Sequence, residues 1–488
     1  MAVGAENLAI IQESLSAAGI EYVTVPSADA FRSTVVVRRE SSASIASTLS
    51  ELTGTDGWFV DRQIAQILPS AFTGSSRFEQ KRGVVAYIAG RRCITRRGVT
   101  LSNHREFVSI QVWTSVSSAA GGGEVADGCS GRLFSSPSHE KSIVSSLSTS
   151  QWNDAQTSPG HFLELGGPLL MQVTEPIDVV YTWVDGSDPL WLERKQAALS
   201  WTDVSAFHES AASPSRYSSR DELKYSLRSV EMYANWVRHI YIVTDGQIPP
   251  WVDAAHSKIT IVDHKEIFSD CEGLPVFNSH AIESQLHRIP GLSEKYLYLN
   301  DDIFFARPVS PTLFFTSSGL SKFFPSQETL DLDRASEIDM PVAAAAKNNR
   351  EYMLGESGRV LTNKFKHTPH AQIRSILEQF EEDEPRLFNR ILNSRFRHPD
   401  DLSIASSLYH YLAYVKGKAV EGRIKYAYVD IGRSDTAFRL RRLGNRRDLD
   451  VFCLNLTAAS KASADENDRV VEDFLNERFP VPSSFELL

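Results

Sequence analysis

Cysteine is scarce in this chain. The four present, Cys93, Cys129, Cys271 and Cys453, are scattered and form no Cys-x-x-Cys pair. A disulfide framework or a cysteine-rich zinc site is therefore not expected, and reduced thiols fit a cytoplasmic setting. Long apolar runs are missing too. None approaches the roughly 18 residues needed to span a bilayer, and Met1-Ala-Val-Gly-Ala-Glu6 lacks the basic-then-apolar pattern of a signal peptide. The expected location is the cytoplasm, or the inner face of a membrane reached from the soluble side. Positive charge is in deficit: 51 Lys and Arg against 61 Asp and Glu leave a net −10. Nucleic acid is not an expected partner. There is no Walker A sequence, no Gly-x-Gly-x-x-Gly after a strand and no Gly-x-Ser-x-Gly elbow. P-loop, dinucleotide and serine-hydrolase readings thus lack their anchors.

What is present fits a globular enzyme. The 488 residues are 42% hydrophobic and 23% charged, enough to bury a core without staples. Residues 1–115 read as an accessory α+β domain. It has helical spacing at Leu8, Ile11 and Leu15, a second helix near 43–52, and strand-like runs at 21–25, 33–38, 84–88 and 107–113. Arg91, Arg92, Arg96 and Arg97 read as a solvated basic hairpin. Residues 116–158, rich in serine and holding Gly121-Gly-Gly123, read as a linker. Residues 159–456 then form the candidate catalytic domain, and 457–488 a polar, weakly helical tail.

From Ile177 to Asp302 strands and helices alternate, which predicts a mostly parallel sheet covered by helices. Ser219 with Glu222 suggests a capping box opening a helix to Met232, with Leu223, Leu227 and Val230 inward. Further helices are expected over 279–289 and 403–415, the second with Leu408, Leu412 and Val415 inward. Strands 177–184, 240–244 and 295–300 end in Asp185, Asp245 and Asp301-Asp302. Parallel sheets bind ligands at the carboxyl ends of their strands.

Adjacent carboxylates at a strand end suit a hard divalent cation that brings phosphates with it. An Asx turn gives the same pattern structurally. On the helix after Ser279, His280, Glu283 and His287 share one face. Their order is not His-Glu-x-x-His, so a zinc-protease reading fails, and a solvated polar face is the plain alternative. In His367-Thr-Pro-His370, Pro369 stiffens a loop that can hold a general base. Arg397 can clamp a phosphate, or else pair with Asp400 or Asp401. The acidic run Glu381–Glu384 reads as a solvated face.

These residues resemble the Stealth family. Ile177-Asp-Val-Val-Tyr-Thr-Trp-Val-Asp-Gly186 looks like its first conserved block. The second resembles Arg220-Asp-Glu-Leu-Lys-Tyr-Ser-Leu-Arg-Ser-Val-Glu231, Ile240–Gly246, Phe277-Asn-Ser-His-Ala-Ile-Glu283 and Asn300-Asp-Asp302. The third resembles His367-Thr-Pro-His370 and the segment to His410. The fourth, Phe452-Cys-Leu-Asn-Leu456, matches in part, with Leu456 where the family has Asp. The resemblance implies a nucleotide-sugar-transferase-like α/β fold with a helical insertion. It also implies transfer of a sugar 1-phosphate from a UDP-sugar to a saccharide hydroxyl, releasing UMP, as in capsule or exopolysaccharide synthesis. The alternative is a metal-dependent glycosyltransferase releasing UDP. Carried onto this chain, it makes His367 the base and Arg397 the phosphate clamp. Asp302 and Glu283 would be catalytic, Asp301 and Asp302 ligands of Mg²⁺ or Mn²⁺, and Asp185, Arg220 and His280 substrate-binding.

Overall fold

The apolar runs that end in carboxylates become neighbouring strands of one sheet. The computed structural model describes residues 3–27, 29, 31–55, 57–66, 82–95, 100–115, 132–135, 143–202, 217, 219–456 and 461–487. It divides into two units, Met1–Pro168 and Leu169–Leu488.

The first unit is α+β. Its strands run in the order Tyr22–Val25, Thr34–Arg38, Val108–Ser115, Arg82–Arg91, Trp58–Gln66. Helices Val3–Ala17 and Ser42–Thr53 press Ile11, Leu15, Ile45 and Leu49 onto that sheet. The serine-rich stretch is not a linker throughout. Leu133–Phe134 pairs with the Val108–Ser115 strand and with Ser146–Leu147. A helix over Thr149–Thr157, opened by a Ser148/Gln151 capping box, buries Trp152 beside Val23 and Trp113. A few large apolar side chains pin a segment whose average composition is polar. Arg96, Arg97, Gly121–Gly123 and Cys129 lie outside the described residues.

The second unit is α/β with a mostly parallel sheet. Its strands are β1 (Ile177–Thr182), β2 (Ile240–Thr244), β3 (Ile259–Asp263), β4 (Lys295–Asn300), β5 (Ile303–Phe305), β6 (Ser321–Phe323), β7 (His370–Ile373), β8 (Ala419–Glu421), β9 (Tyr426–Asp430) and β10 (Val451–Asn455). The main sheet runs β3-β2-β1-β4-β7. Its first three pairings are parallel, and β4–β7 is antiparallel, with Tyr298 opposite His370. Beside it β5 pairs antiparallel with β10, and β10 parallel with β9. Between β6 and β7 lies a helical insertion containing Pro341–Ser357.

Three elements depart from the expected pattern. The helix Glu222–Tyr233 does bury Leu223, Leu227 and Val230, but no capping box opens it. Asp221 sits in the left-handed region (φ 59°) as its N-cap, and Glu222 turns to accept the Arg220 backbone N–H instead. The segment 279–289 breaks into a short helix, Ser279–Glu283, and a 3-10 turn, Leu286–Arg288. Its polar residues therefore diverge, and all three are buried. The segment 403–415 opens with a π-turn, Ile404–Leu408, before the helix Tyr409–Val415. The extra residue in that turn rotates the final turn outward, so Val415 is exposed.

The tail is not peripheral. The helix Lys461–Arg478 places Val471 and Leu475 in the main core at i and i+4, and Phe479, just past its end, and Phe485 join them. Glu486 accepts both the Nε–H and an Nη2–H of buried Arg228, at 2.7 and 2.6 Å. Among the described residues, no helix is long and apolar enough to cross a membrane.

Candidate active site

Asp302 is the hub. It follows β4 and precedes β5, so sheet pairing fixes its backbone on both sides, and its carbonyl accepts the Leu454 N–H at 3.1 Å. Three side-chain donors converge on its carboxylate. His367 Nδ1 lies 3.1 and 3.0 Å from Oδ1 and Oδ2. Asn455 Nδ2–H donates to Oδ2 at 2.9 Å, and the Cys453 thiol at 3.3 Å. Tyr428 completes the chain by donating to Asn455 Oδ1 at 3.0 Å.

This convergence follows from strand alternation. On β10, Phe452 and Leu454 enter the hydrophobic core, while Cys453 and Asn455 face Asp302. Pairing of Ile303 with Cys453 sets the register.

The electrostatics are graded. Burial opposes the Asp302 charge, but His367, Asn455 and Cys453 outweigh it and hold the carboxyl below its ordinary range. For His367, burial works against protonation, and Asp302 outweighs it, leaving the imidazole more basic than usual. Burial, then Asp302, pushes the Cys453 thiol well up. Asp301 is in the opposite situation. Burial, then the Glu222 and Asp302 carboxylates, drive its carboxyl well above the ordinary range. The adjacent carboxylates of Asp301 and Asp302 at this strand end suit an oxygen-seeking divalent cation, which would relieve their repulsion.

Glu283 and Arg397 flank the histidine, and the charges of both are felt at its ring. Glu283 is 4% exposed and accepts the Ser406 hydroxyl from the π-turn at 2.5 Å. Such turns recur at functional sites. Arg397 donates from Nη2 to Ser279 Oγ at 2.7 Å, and its buried Nε has no hydrogen-bond partner. It makes no ion pair with Asp400 or Asp401; His398 lies against Asp400, and His280 against Asp401. His367 itself keeps 40% of its side chain exposed, so a substrate can reach it.

The remaining expected residues sit elsewhere or do other work. Asp185 caps the turn after β1, accepting from Ser187 N–H and Oγ–H at 2.8 and 2.6 Å, while Gln247 bridges its backbone. Arg220 is engaged by Asp468 of the C-terminal helix at 2.5 Å and by Glu222 at 3.5 Å. His280 is 4% exposed and lies 3.5 Å from Asp401 in a network with Asn278. His287 binds Glu381, which is therefore not part of a solvated face. Asp245 is taken up by Arg194, so the three strand ends do not share one set of free carboxylates. His370, second in its motif, is buried with Nδ1 3.0 Å from His410 Nε2, and burial holds it neutral.

The site residues that composition and spacing did not single out are Glu222, Tyr428, Cys453 and Asn455. The signal for Cys453 and Asn455 was the alternation of small or polar with large apolar residues along 451–455.

Four Stealth regions match the second unit in order. They are Stealth protein CR1, conserved region 1, over 175–200; CR2, conserved region 2, over 216–323; CR3, conserved region 3, over 366–414; and CR4, conserved region 4, over 441–488. The chain is 49% identical over 311 residues to the exopolysaccharide phosphotransferase SCO6023 of Streptomyces coelicolor, covering 64% of this chain and 52% of that one. It is 40% identical over 342 residues to an exopolysaccharide phosphotransferase of Nocardia farcinica, covering 68% of this chain and 67% of that one. The exopolysaccharide phosphotransferase CpsY of Mycobacterium tuberculosis is 40% identical over 320 residues, covering 65% of this chain and 59% of that one. The chain spans about half the length of two exopolysaccharide phosphotransferases of Streptomyces coelicolor that it matches, at 52% each. Among solved structures, the galactosyltransferase LgtC aligns at 12% identity with a TM-score of 0.33, over 63% of this chain and 98% of that one.

Proposed function

The chain belongs to the Stealth family, and on that premise we propose that it is a sugar-1-phosphate transferase. It would move a hexose- or N-acetylhexosamine-1-phosphate from a UDP-sugar to a saccharide hydroxyl, releasing UMP, in exopolysaccharide or capsule synthesis. The observation that carries this is the Asp302–His367 pair: a half-exposed histidine whose Nδ1 faces a buried carboxylate, with Arg397 alongside.

With the Nδ1 proton held by Asp302, the Nε2 lone pair is free to accept the acceptor's hydroxyl proton. The oxygen then forms its bond to the β-phosphorus while the bond from that phosphorus to the bridging oxygen of UMP breaks. Asp302 stabilises the imidazolium as it forms. Arg397 would face the oxygens of the transferring group, where a guanidinium offsets developing charge. Its unpartnered buried Nε–H supports that role. Burial lowers the Arg397 guanidinium below its ordinary range, and the Glu283 charge counters that in favour of the charged form. Asp301 and Asp302 are the residues that would hold Mg²⁺ or Mn²⁺, which when bound would neutralise diphosphate charge. Asp185, Arg220 and His280 are read as shaping the donor pocket through the loops they brace.

The test is a UDP-sugar labelled at the β-phosphorus, with the transferred label followed by chromatography. Label in the saccharide together with unlabelled UMP supports phosphotransfer. Label in UDP with none in the saccharide overturns it and makes the protein a glycosyltransferase.

A further inference from the structure

The sequence holds no cysteine pair, yet the fold brings one cysteine to a histidine and a carboxylate. The Cys453 thiol, a ring nitrogen of His367 and an Asp302 oxygen all lie within 4.8 Å of one another. Two of the three edges are already short, with Nδ1 to Oδ2 at 3.0 Å and Sγ to Oδ2 at 3.3 Å. Tetrahedral zinc with ligands at about 2.0–2.3 Å needs edges of about 3.3–3.6 Å. The cluster therefore needs adjustments of a few tenths of an ångström on those two edges. Asn455 already donates to Asp302, as the outer partner of a ligating carboxylate does.

We propose that Asp302, His367 and Cys453 form a binding site for a borderline-soft divalent cation of the zinc class, and that its occupancy switches the histidine base off. A thiolate and an imidazole favour such a cation over Mg²⁺, which seeks oxygen. Three protein ligands leave a fourth position for water or substrate, and His367 keeps 40% of its side chain exposed.

The proton balance gives the consequence. Binding expels the thiol proton of Cys453 to solvent. The metal takes the Nδ1 lone pair, so the one proton of the neutral ring must sit on Nε2. Nε2 is the atom that would have received the acceptor's proton. Zinc then inhibits by inverting the tautomer, and because Asp302 would also hold Mg²⁺ it competes with that ion for the shared carboxylate. This consequence rests on His367 being the base; the binding itself does not.

The test uses the full chain and Co²⁺ as a spectroscopic stand-in. One equivalent of Co²⁺ should give tetrahedral d–d bands and a near-ultraviolet thiolate-to-cobalt charge-transfer band, both displaced by Zn²⁺. The charge-transfer band should vanish in Cys453→Ser and persist in Cys93→Ser, Cys129→Ser and Cys271→Ser. His367→Asn, with circular dichroism confirming the fold, should keep the thiolate and weaken Co²⁺ binding. The loss should exceed the roughly 10–100-fold that an outer-shell partner costs. A missing thiolate band in the wild type, its survival in Cys453→Ser, or unchanged affinity in His367→Asn each overturns the site. Transfer kcat should fall on adding Zn²⁺ even at saturating donor; a loss that saturating donor fully reverses while the metal stays bound would refute the tautomer switch. A cobalt band in a protein with no phosphotransfer would sink the proposed function and leave the metal site standing.

Discussion

If Asp302 acts through His367, removing both should cost no more than removing the worse one. The single effects can be sized first. Loss of a general base lowers kcat by roughly 10²–10⁴-fold, which is about 2.7–5.4 kcal/mol. His367→Ala should fall in that range. In Asp302→Asn the amide has one acceptor oxygen where the carboxylate has two, and three donors converge on it. At least one is left unmatched, at about 1–3 kcal/mol, and the imidazolium loses its counter-charge. Asp302→Asn should therefore lose activity on the same scale while remaining folded. Independent action would multiply the two losses to roughly 10⁴–10⁸-fold. A unit should leave the double variant within about tenfold of the worse single. The assay is initial-rate UMP release at saturating donor, with circular dichroism confirming the fold. Full additivity would refute the dyad and leave Asp302 acting only through a metal.

Exhaustive chelation should abolish transfer, and Mg²⁺ or Mn²⁺ should restore it; Asp301→Asn should lose the titratable binding of that ion, and full activity after chelation would refute the metal role. Gly186→Ala should cost about 1–3 kcal/mol or more in urea denaturation, because the added Cβ would lie 2.1 Å from the Tyr217 carbonyl oxygen; an unchanged midpoint would mean that the backbone yields freely. Stability should also decline on acidification. Burial lowers His264 from 6.5 to about 4, so as pH falls below about 6.5 the unfolded chain takes up this proton first. The stability from this group is present above pH 6.5 and is lost as pH drops towards 4, by up to about 3 kcal/mol. His264→Phe should flatten that slope in denaturant titrations at stepped pH, and an equal slope would refute the assignment.

The sheet was legible because its strands are short apolar runs between turn signals, and Asp301-Asp302 stood out because a strand ends there. The pairing of β5 with β10 was not legible, since residues 303 and 453 meet across 150 positions with nothing local to announce it. Asn455 therefore read as part of an incomplete motif, whereas in the fold it anchors the carboxylate. The histidines at 280 and 287 fit a helical wheel on paper. The helix stops at Glu283, so tertiary contacts with Asp401 and Glu381 place them instead. The tail's polar composition hid an apolar stripe at 471, 475 and 479 that only a waiting core makes meaningful.

The late position of β10 sets an order of events during synthesis. Asp301, Asp302, Glu283, His367 and Arg397 all leave the ribosome before Cys453 and Asn455. Until β10 docks, Asp302 lacks two of its three donors and the histidine's orienting group is unrestrained. A chain cut short at residue 450 would carry the carboxylates, the histidine and the arginine, yet not a finished centre. Since β10 also supplies Phe452 and Leu454 to the core, the same docking step that closes the hydrophobic interior assembles the chemistry. On the proposed function, transfer would begin only once this step is complete.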